Sequence, residues 1–225
     1  DGSVITWGEG VSGGDSSSVA SSINSGVIEI FSTFSAYAAV KSDGSVITWG
    51  NSNYGGNSSS VASSINSGVK EIFSTQGAFA ALKSDGSVVT WGDSNYGGNS
   101  SSVASSINSG VIEIFSTQRA FAALKSDGSV ITWGGLNGQV FGNDSSSVAN
   151  SINSGVIDIS SNERAFAALK SDGSVITWGD SFYGGNSSSV ASSINSGVIK
   201  IFPGARGAFA ALKSNGSLVT WGNSD

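Results

Sequence analysis

Along this chain one order of apolar and polar positions returns at intervals of 42, 42, 42, 45 and 43 residues. Its marker is Asp-Gly-Ser-Val-Ile-Thr-Trp-Gly, or a close variant, starting at Asp1, Asp43, Asp85, Asp127, Asp172 and Asn215. The second unit shows what the pattern predicts. Val69-Lys70-Glu71-Ile72-Phe73 alternates closely enough to read as a strand. Ala78-Phe79-Ala80-Ala81-Leu82 is a continuous apolar run, which calls for cover on both faces of a sheet. Ser84-Asp85-Gly86-Ser87 is a tight-turn signal, because Asp and Gly tolerate the backbone that hairpins require. Val88-Val89-Thr90-Trp91 returns as a third strand, β-branched and aromatic. Asp93 to Asn99 then reads as an irregular loop. In the Ser-rich stretch 100–110, the Ser start, the Val103/Ile107 pair and the Asn-Ser-Gly stop point to a short helical turn. A poorly apolar edge strand is the competing reading of that stretch.

A three-stranded meander cannot bury both faces alone, so successive units must pack face to face. A period near forty fits an all-β β-propeller of about five short blades, each with three strong strands and a Ser-rich crossover. Coils of a linear β-solenoid are usually shorter and lack such clear Asp-Gly hairpins. The chain reads as one repeat domain, 1–225, with units 1–42, 43–84, 85–126, 127–171 and 172–214 and a partial unit 215–225. Ring closure is left open by the count. Residues 1–8 and Leu218-Val219-Thr220-Trp221 both offer a closing strand, and one is surplus if five blades close. A segment of a longer array and self-association are the other ways to complete it. The start, with neither Met nor signal peptide, reads as a processed or excised piece.

Composition narrows the function classes. Net charge is −6 with only 12% charged residues, which argues against nucleic acid and anionic membranes as partners. No apolar stretch is long enough to span a bilayer. The chain has no Cys and no His, which removes thiolate and imidazole metal ligands, the thiol nucleophile and the usual general base. No cofactor and no catalysis are expected. The singular acids Glu9, Asp144 and Glu163 fall in different units, so nothing pairs them for glycoside cleavage. Asp43, Asp85, Asp127 and Asp172 each precede Gly, and Asn215 replaces one, so they read as turn residues. The Ser, Asn and Gly content fits a secreted or cell-surface protein.

The run Val111-Ile112-Glu113-Ile114, Ala120-Phe121-Ala122-Ala123-Leu124-Lys125 and Gly128-Ser129-Val130-Ile131-Thr132-Trp133-Gly134 resembles the regulator of chromosome condensation repeat. The closer resemblance is to its short-blade bacterial branch, which includes the propeller-type β-lactamase inhibitor proteins. Ser67-Gly68-Val69, Leu82-Lys83 and Val88-Val89-Thr90-Trp91-Gly92 align with that branch. The resemblance implies a β-propeller, a fold that hosts many activities. The inhibitors have seven blades and place aromatics in the loop between the first two strands, facing the bound enzyme. Here the matching positions hold Phe34-Ser35, Gln76-Gly77, Gln118-Arg119, Glu163-Arg164 and Ala205-Arg206, and only the first keeps an aromatic.

Two candidate sites follow. A protein partner is expected on the face that collects 33–36, 75–78, 117–120, 162–165 and 203–207. Its contact residues would be Phe34, Ser35, Gln76, Gln118, Arg119, Glu163, Arg164 and Arg206. A glycan is the alternative ligand, held by Tyr54, Tyr96, Phe182 and Tyr183 in the Tyr-Gly-Gly-Asn loops, where Tyr among small polar residues suits adaptable recognition. The fourth unit replaces that loop with the longer run Gly135 to Asp144. The six Trp invite a sugar-stacking role, but large strand aromatics usually pack between sheets. The chain therefore reads as a non-catalytic binding scaffold, with a lectin or a structural segment of a surface protein as alternatives.

Overall fold

Each predicted strand triplet forms one antiparallel sheet in the computed structural model, which describes residues 1–135, 141–204 and 207–223. The sheets are β1 (Val27–Ser32), β2 (Ala36–Lys41) and β3 (Val46–Gly50), then β4 (Val69–Ser74), β5 (Ala78–Lys83) and β6 (Val88–Gly92). They continue with β7 (Val111–Ser116), β8 (Ala120–Lys125) and β9 (Val130–Gly134), then β10 (Val156–Ser161), β11 (Ala165–Lys170) and β12 (Val175–Gly179). The last is β13 (Val198–Pro203), β14 (Ala208–Lys213) and β15 (Leu218–Gly222). Every sheet runs in sequence order with the Ala-rich strand in the middle. The chain divides into two compact units, Asp1–Val111 and Ile112–Asp225.

The first strand is less regular than its alternation implied. Val69 pairs with Lys83 and Glu71 with Leu82, so Lys70 is an extra residue in a β-bulge. The same shift occurs in β1, β10 and β13. Val69 and Ile72 are three apart, which in a regular strand puts them on opposite faces. The bulge restores a common side, and both are buried.

Burial between sheets follows one scheme. In the first unit, Ala36, Ala38 and Val40 of β2 pack against Ile72 of β4, Phe79 of β5 and Trp91 of β6. In the second, Ala120, Ala122 and Leu124 of β8 meet Ile159, Phe166 and Trp178. Ala165, Ala167 and Leu169 of β11 meet Ile201, Phe209 and Trp221. Alanines on one sheet thus admit the aromatics of the next. Within a sheet, Phe79 stacks on Trp91 at 5.2 Å and Phe166 on Trp178 at 5.2 Å. Trp91 Nε1–H donates to the Gly55 carbonyl at 3.1 Å, and Trp178 Nε1–H to the Gly142 carbonyl at 3.0 Å. The core role expected of the tryptophans holds for Trp49, Trp91, Trp133, Trp178 and Trp221, all buried, but not for Trp7, which is 84% exposed. Residues 1–8 form no strand, because no second strand lies beside them to complete a ladder.

The crossovers are helical turns rather than edge strands. Ser59–Val61, Ser101–Val103, Ser146–Ser151 and Ser188–Val190 are 3-10 turns, and the last continues into α1 (Ala191–Ile194). Ile65, Ile107, Ile152 and Ile194 bury there, as the spacing of Val and Ile predicted. The segment before each crossover, read as irregular, is itself a 3-10 turn in four units, Gly10–Ser12, Ser52–Tyr54, Ser94–Tyr96 and Ser181–Tyr183, the last three with side-chain caps. Asn51, Asp93 and Asp180 cap these turns by accepting from the backbone N–H two residues on.

The repeated Asp-Gly turns are local devices. Asp43 Oδ1 accepts from Ser45 N–H at 2.9 Å and from its Oγ–H at 2.6 Å, and Asp85, Asp127 and Asp172 repeat both bonds with Ser87, Ser129 and Ser174. The Ser hydroxyl first, and the backbone N–H second, hold each carboxyl below the usual carboxylate range. A lowered folded-state pKa gives stability that is complete above the unfolded value and is lost as pH falls through the lowered one. The urea midpoint is expected to stay level from about pH 7 to about pH 5 and to fall below about pH 4. Changing all four Asp to Asn should flatten the acid limb, since Asn215 already makes the same two bonds to Ser217. An acid limb unchanged in that variant would remove the turns as its cause.

Candidate functional site

The loop between the first two strands is closed by a Thr or Asn in the first four sheets, and by Gly204 N–H donating to the Ala208 carbonyl in the fifth. Thr33 N–H donates to the Ala36 carbonyl at 2.9 Å, and Thr33 Oγ1 accepts from Ala36 N–H at 3.1 Å. The same hydroxyl donates to the Tyr54 carbonyl at 2.9 Å. Thr75 does this to the Tyr96 carbonyl at 2.7 Å, Thr117 to the Phe141 carbonyl at 2.8 Å, and Asn162 Nδ2 to the Tyr183 carbonyl at 2.8 Å. The two candidate sites predicted separately, the strand-connecting loops and the Tyr-Gly-Gly-Asn loops or their counterpart, are therefore tied side by side four times. The pairing spans 21 to 24 residues and carries no local motif.

In the first unit, Phe34 stands at a loop tip, 77% exposed, and its N–H donates to the Gln76 carbonyl at 2.9 Å. The Ser35 carbonyl accepts from Asn51 N–H at 2.8 Å, and Gln76 is exposed. Tyr54 and Tyr96 are half-buried, their rings 6.4 Å apart and tilted by 48°. Gly77 lies against Tyr96, whose ring is 2.8 Å from where a Cβ would sit. Beside these rings a cleft of about 490 Å³ is lined by Ser52, Asn53, Tyr54, Asp93 and Ser94.

The second unit is more strongly charged. Arg119 occupies the repeat position of Gly77, and its guanidinium carbon lies 4.9 Å above the Phe141 ring. Arg164 takes the same position one repeat later and lies 5.0 Å from the Phe141 ring and 5.0 Å from that of Tyr183. Arg119, Phe141, Arg164 and Tyr183 thus alternate cation and ring. Cation–π contacts contribute about 0.5–2 kcal/mol each, depending on desolvation. Arg164 Nη1 also meets Asp180 Oδ2 at 3.8 Å, a long, part-exposed pair of little stabilising value. Its Nε is buried without a hydrogen-bond partner, and the guanidinium lies over both rings. Gln118 N–H donates to the carbonyl of Glu163, whose side chain is exposed. Phe182 projects outward, edge-on to Tyr183 at 5.7 Å. Arg206 lies outside the described residues.

Phe141 is the site residue that sequence reading missed. It is buried, fills the place of the Tyr in the other loops, and is followed by Gly142 at φ +85°, as Tyr54 is by Gly55. The signal was an aromatic followed by Gly and Asn, masked by the longer loop before it. Arg119 and Arg164, two of the chain's three Arg, bring positive charge to these loops in an acidic protein. Among the described residues no three His, Cys, Asp or Glu lie together as a metal site would need.

Solved structures with the same arrangement of sheets are known. Human WBSCR16 is similar over 87% of this chain and 61% of its own, with 19% identity and a TM-score of 0.52. Prp20p from Saccharomyces cerevisiae, described with its binding to Gsp1p and histones, matches over 88% of this chain and 57% of its own, with 16% identity and a TM-score of 0.54. The same yeast protein, named as RCC1 and bound to Kap60, matches equally at 0.54. The fold is that of a β-propeller, in five three-stranded blades. At this identity the likeness, to propellers of the RCC1 type, concerns fold alone. This chain spans about three-fifths of the length of those structures. The sequence matches no protein-family model and no curated protein.

Proposed function

We propose that this chain is a non-catalytic propeller scaffold that binds a protein partner through its strand-connecting loops, with the Arg119–Phe141–Arg164–Tyr183 stack at the centre of the contact. The observation that carries the reading is that both guanidiniums lie against ring faces. Arg and Tyr in pre-ordered positions are typical of interface hot spots. The partner surface that suits them carries carboxylates. Among similar folds, Prp20p binds proteins, Gsp1p and histones. The short-blade bacterial resemblance and a secreted or cell-surface setting belong to the same proposal. Inhibition of a β-lactamase does not, since Phe34 is the one aromatic at the inhibitor-like loop positions.

Immobilised full-length chain, cross-linked to proteins of its native surroundings, should capture a defined set. Arg119→Ala with Arg164→Ala should lower that capture by at least about tenfold, as loss of about 2 kcal/mol at a hot spot implies. Lys70→Ala, on the bulge of β4, should leave it unchanged. Equal capture by the double variant and the wild type would defeat the assignment. A second reading, one weak glycan site per blade, is favoured by the polar cleft beside Tyr54 and Asp93. It predicts several equivalent sugar sites, one of which is lost in Asn53→Ala, and a blank glycan screen removes it.

A further inference from the structure

In three units the crossover opens on an Asn: Asn57-Ser58-Ser59, Asn99-Ser100-Ser101 and Asn186-Ser187-Ser188. Asp15 and Asp144 stand at that place in the other two. The residue there has one structural task. Asn57 Oδ1 accepts from Ser59 N–H at 2.9 Å, and Asn99 and Asn186 accept from Ser101 and Ser188 at the same distance. Asp15 and Asp144 accept likewise from Ser17 and Ser146, each at 2.9 Å. The turn therefore needs the oxygen alone, and Asn and Asp supply it equally. Where the residue is Asn, the amide nitrogen is left over. Asn57, Asn99 and Asn186 are exposed, and Nδ2 of each makes no hydrogen bond among the described residues.

Asn followed by any residue but Pro and then Ser is an acceptor pattern for N-linked glycosylation. The third residues Ser59, Ser101 and Ser188 are exposed, with hydroxyls that make no hydrogen bond among the described residues. Each Asn is also held firmly in place. The Gly56 carbonyl and Ser58 Oγ, on either side of Asn57, both bond Thr48 Oγ1, at 3.2 and 2.9 Å. Gly98 and Ser100 bond Thr90 Oγ1 at 3.2 and 3.0 Å, and Gly185 and Ser187 bond Thr177 Oγ1 at 3.1 and 3.0 Å. Thr48, Thr90 and Thr177 lie on β3, β6 and β12, each an edge strand of its sheet. A bulky hydrated group on Nδ2 would stand beside that edge and deny it to a strand of another chain.

The pattern occurs elsewhere without this setting. In Asn143-Asp144-Ser145, Asn143 Oδ1 is buried and its Cγ is 2.5 Å from where a Cβ on Gly135 would sit. The Ser145 hydroxyl there is bonded to Thr132 Oγ1 at 3.0 Å. In Asn215-Gly216-Ser217 the Ser hydroxyl is already donated to Asn215 Oδ1 at 2.7 Å.

We propose that Asn57, Asn99 and Asn186 accept N-linked oligosaccharide. Nδ2 attacks the anomeric carbon of the first sugar of a lipid-diphosphate-linked oligosaccharide. The N–C bond forms as the C–O bond to the diphosphate breaks. The lipid diphosphate leaves with the electron pair, and a base of the transferase takes the Nδ2 proton. The inference rests on the secreted or cell-surface setting proposed above and not on the arginine contact.

The test sends the full chain, behind a signal peptide, through the secretory route of a eukaryotic host and maps glycopeptides of the secreted product by mass spectrometry. Asn57, Asn99 and Asn186 should carry glycan and Asn143 none, because a sugar there would have to enter packed structure. Asn57→Asp, Asn99→Asp and Asn186→Asp should each remove one site without moving the urea midpoint, since Asp15 and Asp144 already hold this place. Ser59→Ala should leave Asn57 alone bare. A secreted wild type bare at all three positions overturns the proposal, as does glycan on Asn143. A midpoint that falls in the Asp variants also overturns it, because Nδ2 would then belong to the fold. The host supplies the compartment, so sites filled there but bare in protein from its own source would count against the secreted setting and not against the acceptor sites.

Discussion

Phe166→Ala is expected to destabilise the second unit by about 3–5 kcal/mol, the range for emptying a buried Phe site. The ring is fully buried, lies at 5.2 Å from Trp178, and packs into the cluster that holds Ala120 and Ala122 of the preceding sheet. Its far edge supports Gly142, whose carbonyl receives Trp178 Nε1–H. Removing the ring therefore opens a cavity and loosens the Trp. Alanines around the hole cannot reach in to fill it, so little relaxation is available. Tyr37→Ala is the internal comparison. It empties the same repeat position on the first sheet, where the ring is only half-buried, and should cost clearly less. Urea denaturation of both variants measures the difference, and equal losses would contradict the burial scheme.

Gly55→Ala should be the next most damaging single change, at about 2–5 kcal/mol. Gly55 ends the Ser52–Tyr54 turn at φ +98°, where a side chain adds about 1–2 kcal/mol of backbone strain. A Cβ there would also lie 2.6 Å from Phe79 Cδ2 and 2.8 Å from Cε2. The ring is fully buried and cannot swing away, so the loop must lift, which adds about 1–3 kcal/mol as overpacking does and weakens the Trp91 bond to the Gly55 carbonyl. Gly216→Ala separates the two effects. Gly216 has φ +83° and nothing within 4 Å of a Cβ, so only the backbone strain applies. A Gly55 variant no less stable than the Gly216 variant would show that the loop does not rest on the ring.

Strand content was legible in the chain because the physics there is local. Alternation, a β-branched third strand and Asp-Gly turns all act within a few residues, and the Ala-Phe-Ala-Ala-Leu run announced cover on both faces. The bulge at Lys70 was not legible, since its only trace is the three-residue spacing of Val69 and Ile72, which alternation alone cannot tell from noise. The site was harder for a different reason. That Thr33 would bond the Tyr54 carbonyl depends on two loops meeting across 21 residues, a matter of sheet packing and not of motif. Phe141 escaped because its loop is longer than its counterparts. Trp7 shows the converse, where six near-identical phrases hid one whose Trp is exposed.

The seams between repeats have a genetic consequence. Val46 N–H to the Ile65 carbonyl and Val69 N–H to that of Gly44 are remade one period on by Val88 with Ile107 and Val111 with Gly86, and Ser84 N–H to the Gly68 carbonyl two periods on by Ser171 with Gly155. Among the described residues the same join recurs, as in Val156 with Gly128 and Val198 with Gly173. Unequal crossing-over that removes or adds one whole period restores an intact seam on both sides, whereas a break at half a period strands a middle strand without its neighbours. Copy number is thus a quantity this lineage can change in a single recombination step, without first having to invent a new core.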